Sequence, residues 1–217
     1  MKSKDAFDDF SIKVPFFVPN ITNRDKTAVM DALNSPLLTD GPKLRQFEKD
    51  FSKFTGVKYA IGVSNGTAAL HLALKSLDLK KNDEIIIPDL TFVATANAVL
   101  LAGATPVLAD VDFDDMNISP ASIEENISSR TKAILPVHLA GKACKINKII
   151  NIAKSHNIPI LEDCAHAIGT KYNGKHVGTF GKAGCFSFYP TKNFTTIEGG
   201  MVITNSKKTA DFIRTAR

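Results

Sequence analysis

The chain predicts an α/β fold, a mainly parallel sheet of about seven strands flanked by helices. Two observations carry this. Seven short apolar runs recur along the 217 residues, and helical patterns fill much of the intervals between the first five, as parallel strands with right-handed crossovers require. A composition of 44% hydrophobic and 23% charged residues fits one substantial globular core.

In chain order, the strand candidates are Tyr59–Ser64, Glu84–Pro88, Pro106–Asp110, Ala133–His138, Pro159–Asp163, Gly184–Phe188 and Gly200–Thr204. The first meets the small polar turn Ser64-Asn65-Gly66 and an Ala/Leu helix. The amides of Gly66 and Thr67 would then open that helix, where free N–H groups attract phosphate. Such a turn is also an ordinary cap, and neither a P-loop nor a Gly-x-Gly-x-x-Gly fingerprint is present. The last two candidates enclose only a short segment, so a compact return or an antiparallel final strand is expected. A further helix begins near Lys207.

The fifth run ends in Asp163, and in parallel α/β sheets ligands sit beyond the carboxyl ends of the strands. Alone, Asp163 reads more readily as a capping or loop aspartate. The sixth run leads into Ser187-Phe188-Tyr189-Pro190-Thr191-Lys192. Lys192 has apolar and aromatic neighbours and no nearby cation, which suits a semi-buried nucleophilic amine, although a solvated loop lysine has the same spacing. Together the three supply what pyridoxal phosphate needs: an acid for the ring nitrogen, a hydroxyl for the phosphate and an amine for the aldehyde.

These segments resemble the DegT/StrS-type sugar-nucleotide aminotransferases, a branch of the fold type I pyridoxal-phosphate enzymes. The resemblance runs through Val14-Pro15-Phe16, Leu38-Thr39-Asp40-Gly41-Pro42, Ser64-Asn65-Gly66-Thr67, Thr91-Phe92-Val93-Ala94-Thr95, Gly103-Ala104-Thr105-Pro106-Val107, Arg130-Thr131-Lys132-Ala133-Ile134, Pro136-Val137-His138-Leu139, Glu162-Asp163-Cys164-Ala165-His166-Ala167 and Glu198-Gly199-Gly200-Met201. It implies that Lys192 joins the aldehyde and shuttles protons, and that Asp163 pairs with the pyridine nitrogen. Ser187 with the Gly66 and Thr67 amides would bind the phosphate, and Phe92 would lie against the ring. His166 stands where many relatives have Gln, near the phenolic oxygen, and makes charge a variable there. Ile197 departs from the Gly usual before Glu-Gly-Gly. A branch with His in place of the lysine performs dehydration, and Lys192 argues against it.

The implied activity moves an amino group from glutamate to C4 or C3 of a nucleotide-linked deoxysugar, in cell-surface polysaccharide biosynthesis. A homodimer is implied too, with a partner Asn from beyond residue 217 completing the phosphate site. Residues 1–217 are expected to form one cofactor-binding large domain with an N-terminal segment, lacking the family's C-terminal small domain. The alternative is a catalytically incomplete fragment that binds cofactor or a partner, which a turnover assay separates. A Rossmann dehydrogenase lacks its glycine fingerprint.

The net charge is +5, but the cations Lys75, Lys80, Lys81, Lys145, Lys148 and Lys154 are scattered. They read as a solvated surface rather than a nucleic-acid site. Three cysteines, Cys144, Cys164 and Cys185, form no CxxC pair and suggest reduced thiols in the cytoplasm. Cys164 reads as a buried hydrophobe and His71 as a packed histidine, while His138 could face a site or pack. No metal set is apparent. Neither a signal peptide nor a run long enough to cross a membrane is read.

Overall fold

The computed structural model describes residues 17–217, so Val14-Pro15-Phe16 lies outside the described residues. Among the described residues two compact units are distinguished, one reaching to Ser35 and the other Pro36–Arg217. The described part of the first holds helix α1 (Asn23–Leu33). Thr22 and Asp25 start it by a reciprocal capping box, each satisfying a backbone N–H near the other.

The second unit opens with α2 (Pro42–Thr55), which has Pro at its first position and the left-handed Gly56 at its end. There follow β1 (Tyr59–Val63), α3 (Gly66–Lys75), β2 (Glu84–Pro88), α4 (Ala94–Leu101), β3 (Thr105–Ala109), α5 (Pro120–Asn126), β4 (Thr131–Ile134) and α6 (Ile146–Ser155). The chain closes with β5 (Leu161–Asp163), β6 (Lys171–Tyr172), β7 (Lys175–His176), β8 (Ala183–Ser187), β9 (Gly200–Thr204) and α7 (Lys207–Ala216).

The α/β class holds, but the single sheet of about seven strands does not form. Instead, β1-β9-β8-β5 make a mixed four-stranded sheet and β3-β2-β4 a parallel three-stranded one. β9 runs antiparallel to both β8 and β1, the compact return expected. Two isolated parallel bridges, Ile134–Ile160 and Val137–Asp163, connect the sheets. The ladder thins there because Pro136 and Pro159 lack an N–H, so β4 and β5 are shorter than the apolar runs that contain them. The backbone still crosses the seam: Asp163 N–H donates to Pro136 O and His138 N–H to Asp163 O.

Helices cover both faces, which explains the unbroken apolar runs. Ile85 and Ile87 pack with Leu70, Leu74 and Val99 on one face, whereas Ile86 packs with Ile123, Ile146 and Ile149 on the other. Each such side chain is fully buried, worth about 1.5–3 kcal/mol. Under the four-stranded sheet, Phe51 of α2 meets Phe186 of β8 and Phe188, just after it, edge-on. The β6–β7 hairpin was not among the expected strands. Its signal was Asn173-Gly174, both at positive φ.

Candidate active site

The carboxyl ends of β1, β5 and β8 and the turn after β2 converge on one cavity of about 560 Å³. Gly66, Thr67, Phe92, Asp163, His166, Ser187 and Lys192, the seven residues the sequence singles out, all line it.

Its first corner is the β1–α3 turn. Asn65 caps α3 by accepting from Ala68 N–H through its side chain and from Ala69 N–H through its carbonyl. The amides of Gly66 and Thr67 keep no acceptor among the described residues, at the positive end of a helix. Ser187 lies against them, since a β-carbon on Gly66 would stand 3.1 Å from its Oγ. Gly200 makes room for this contact, because a β-carbon there would meet Asn65 O at 2.4 Å. Two free amides and a hydroxyl are donors of the kind a phosphate accepts from.

Asp163 ends β5 at the seam and is 4% exposed. Its Oδ1 accepts from Ala165 N–H at 3.0 Å and its Oδ2 from the Thr95 hydroxyl at 3.0 Å. Burial pushes its carboxyl above the usual range, while those two hydrogen bonds oppose the shift. A cation placed in the cavity beside this carboxyl would favour its charged form.

Lys192 lies in the loop between β8 and β9. Phe188 O anchors this loop by accepting from Thr196 N–H and Thr195 Oγ1, and Phe194 packs on Phe47 and Phe188. Half-burial lowers the ammonium pKa, with Asp163 partly opposing, so the amine is easier to free for attack. His166 is half-buried, and its Nδ1 accepts from Ala140 N–H at 3.4 Å. Burial, then Lys192, lowers its pKa, which favours a neutral ring. Phe92 is 68% exposed at the rim.

His138 does not face the cavity. Its Nδ1 accepts from Cys144 N–H, so the remaining ring proton sits on Nε2 and donates to Glu162 at 3.1 Å. Glu162 is fully buried and also accepts from the amides of Gly178, Phe180 and Gly181 at 2.7 Å each. His138, Glu162 and Cys164 lie close enough to hold a metal, but both ring nitrogens are already engaged. Burial drives all three thiols up, so Cys164 is a packed thiol and not a nucleophile. His71 is partly buried in α3.

Sequence reasoning gave no role to Thr91, Thr95, Val137, Tyr189, Thr191 and Glu198, which also line the cavity. Thr91 and Thr95 carried a signal, two hydroxyls four residues apart on either side of the start of α4.

The model of the DegT/DnrJ/EryC1/StrS aminotransferase family matches residues 19–217. GDP-perosamine synthase of Escherichia coli O157:H7 is 45% identical over 199 residues, 91% of this chain and 55% of that protein. The X-ray structure of the aminotransferase from Psychrobacter cryohalolentis is similar with a TM-score of 0.89 at 41% identity, over 92% of this chain and 52% of that one. A GDP-4-keto-6-deoxymannose-3-dehydratase with a trapped PLP-glutamate geminal diamine is similar with a TM-score of 0.88 at 32% identity, over 92% and 53%. The chain spans about half the length of the curated relatives it matches.

Proposed function

This chain belongs to the DegT/DnrJ/EryC1/StrS aminotransferase family, and on that premise we propose that it forms the cofactor-binding large domain of a pyridoxal-phosphate-dependent sugar-nucleotide aminotransferase. The observation that carries this is the convergence of Asp163, Ser187, Lys192 and the free amides of Gly66 and Thr67 on one cavity. When bound, the cofactor supplies an aldehyde that takes up the amino group and a protonated ring that accepts the electron pair released beside it.

The chain's own residues divide the rest. Gly66, Thr67 and Ser187 hold the phosphate, and Asp163 keeps a proton on the ring nitrogen. Phe92 would lie against the cofactor ring, and His166 would donate to its phenolic oxygen. Lys192 would hold the cofactor through its aldehyde, and its amine, made easier to free by half-burial, would serve as the general base and acid that moves a proton. Supporting the amino donor, a similar dehydratase was solved with PLP-glutamate. For the acceptor, a relative is a GDP-perosamine synthase, which favours the keto carbon, C4 or C3, of a nucleotide-linked deoxysugar destined for cell-surface polysaccharide.

The reading extends to a fold type I large domain in which the two sheets act as one surface, to a homodimer, and to the cytoplasm. Three buried free thiols support a reducing compartment. No helix among the described residues is long and apolar enough to cross a membrane.

The test is to add pyridoxal phosphate to the purified protein and record its absorption spectrum. Glutamate should then bleach the bound form, and a 4-keto sugar nucleotide should gain an amino group by mass. Bleaching without amination of any keto sugar nucleotide would refute the acceptor class, and no bound cofactor would refute the whole reading.

A further inference from the structure

We infer that Thr95, oriented by Thr91, is a positioning residue that holds Asp163 ionised and aimed into the cavity. Thr95 stands in the first turn of α4, is 1% exposed, and places its Oγ1 3.0 Å from Asp163 Oδ2 and 2.9 Å from Thr91 Oγ1. A hydroxyl has one proton to give and two lone pairs to receive with. An ionised carboxylate only accepts, so the Thr95 proton must go to Asp163. Thr91 must then donate to Thr95. While the carboxylate is charged, the chain of hydroxyls has one polarity, from Thr91 through Thr95 to Asp163.

A helical Thr commonly turns its hydroxyl back onto a carbonyl four residues earlier. Thr95 instead reaches across to another element, 68 residues away in the chain. Other charged or titratable groups face Asp163 from several elements. His138 comes from the segment after β4, His166 from the loop after β5 and Lys192 from the loop after β8. Cys144, Cys164, Cys185 and Glu162 are neighbours too, but burial keeps the thiols protonated and Glu162 is turned to the amides of the 178–181 loop. None of these donates a hydrogen bond to the Asp163 carboxyl. Its side-chain donor is Thr95, and its second oxygen is held by Ala165 N–H. Removing the hydroxyl takes away a charge-assisted hydrogen bond in a desolvated site, where such bonds are strongest.

This inference rests on the proposed cofactor site for its meaning, but the relay belongs to the chain alone. The protein is labelled with ¹³C at the aspartate carboxyls, and the Asp163 signal, identified by its loss in Asp163→Asn, is followed against pH. In Thr95→Val the midpoint moves upward, Thr95→Ser restores it, and Thr91→Val moves it upward by a smaller amount. A Thr95→Val titration that overlays the wild type would overturn the relay. Should Thr95→Val fail to fold, Thr91→Val decides, and an unmoved midpoint there overturns it equally. In the cofactor-loaded protein, turnover falls about tenfold in Thr95→Val and recovers in Thr95→Ser, as one lost hydrogen bond to a charged group implies. Absence of cofactor binding in the wild type would refute the proposed function, and the carboxyl titration would still decide the relay.

Discussion

A β-carbon placed on Gly66 would lie 2.7 Å from the β-carbon of Ser187. The first residue opens α3 and the second ends β8, so the proposed phosphate site depends on a helix start and a strand end touching without a side chain between them.

Gly66→Ala should therefore destabilise the protein and weaken cofactor binding. Ala gains up to about 1 kcal/mol of helix propensity over Gly. Against this, Ser187 is held in a fully buried strand between β5 and β9, and overpacking of that kind costs about 1–3 kcal/mol. The clash wins. Thermal melting without cofactor and a pyridoxal-phosphate titration check both effects, and an Ala variant melting above the wild type would show that the turn can yield.

How much of this was legible in the residues depended on whether the signal was local. Ile85-Ile86-Ile87 reads as a doubly covered strand because the run is uninterrupted, and Ser64-Asn65-Gly66 reads as a cap because its chemistry is contained in four residues. The split into two sheets was hidden by Pro136 and Pro159, whose missing donors matter only once β4 and β5 are neighbours. Thr95 was hidden in the same way, since its partner lies 68 residues away. Glu162 was quoted within a motif, but its role needs the 178–181 loop folded beneath it.

Lys192→Ala should keep the fold and lose covalent attachment of the cofactor. Its side chain is half-buried in a loop that Phe188 and Phe194 anchor without it, so truncation leaves little cavity. Borohydride reduction followed by peptide mapping should mark Lys192 in the wild type and nothing in the variant. A label on another lysine would reassign the nucleophile.

Asp163 should impose a pH-dependent cost on the cofactor-free protein. Burial raises its carboxyl pKa above the unfolded value, so the native state holds that proton to higher pH. The stability it contributes is full below the unfolded pKa and is lost as pH rises through the folded one. Asp163→Asn removes this dependence. The melting temperature of the variant minus that of the wild type should increase between about pH 4 and neutrality, while turnover of the loaded protein falls on the order of 10²-fold. A flat difference across that range would contradict the assigned burial cost.

Glu162→Ala should be the most damaging of these substitutions. It would strand the buried amide of Gly178, the part-buried amides of Phe180 and Gly181 and the buried Nε2–H of His138, and an unsatisfied buried donor costs about 1–3 kcal/mol. Even with water admitted to some of them, a loss of about 3–5 kcal/mol is expected. Soluble yield and thermal melting would report it, and a variant melting within a few degrees of wild type would show that the 178–181 loop is held by something else.

Ile197 should be a site where stability can be gained. Its φ is +71°, a left-handed conformation that a β-branched residue adopts only under constraint. The constraint is visible: its N–H donates to Thr195 Oγ1, which in turn donates to Phe188 O, and Thr196 Oγ1 donates to Glu198 O. Such strain costs about 1–3 kcal/mol, and the side chain, 69% exposed, recovers little by burial. Asn tolerates this region, so Ile197→Asn should gain about 1 kcal/mol, a rise of about 2–4 °C for a protein of this size. Ile197→Gly should gain less, because Gly adds about 0.4–1 kcal/mol of unfolded-state freedom, and Ile197→Val should gain nothing. Borohydride labelling at Lys192 should be unchanged in all three, since the substitution relieves the loop's conformation without altering it. If Ile197→Asn melts no higher than the wild type, the backbone there is not under strain, and the rigidity of the loop that carries Lys192 comes from Thr195 and Phe194 alone.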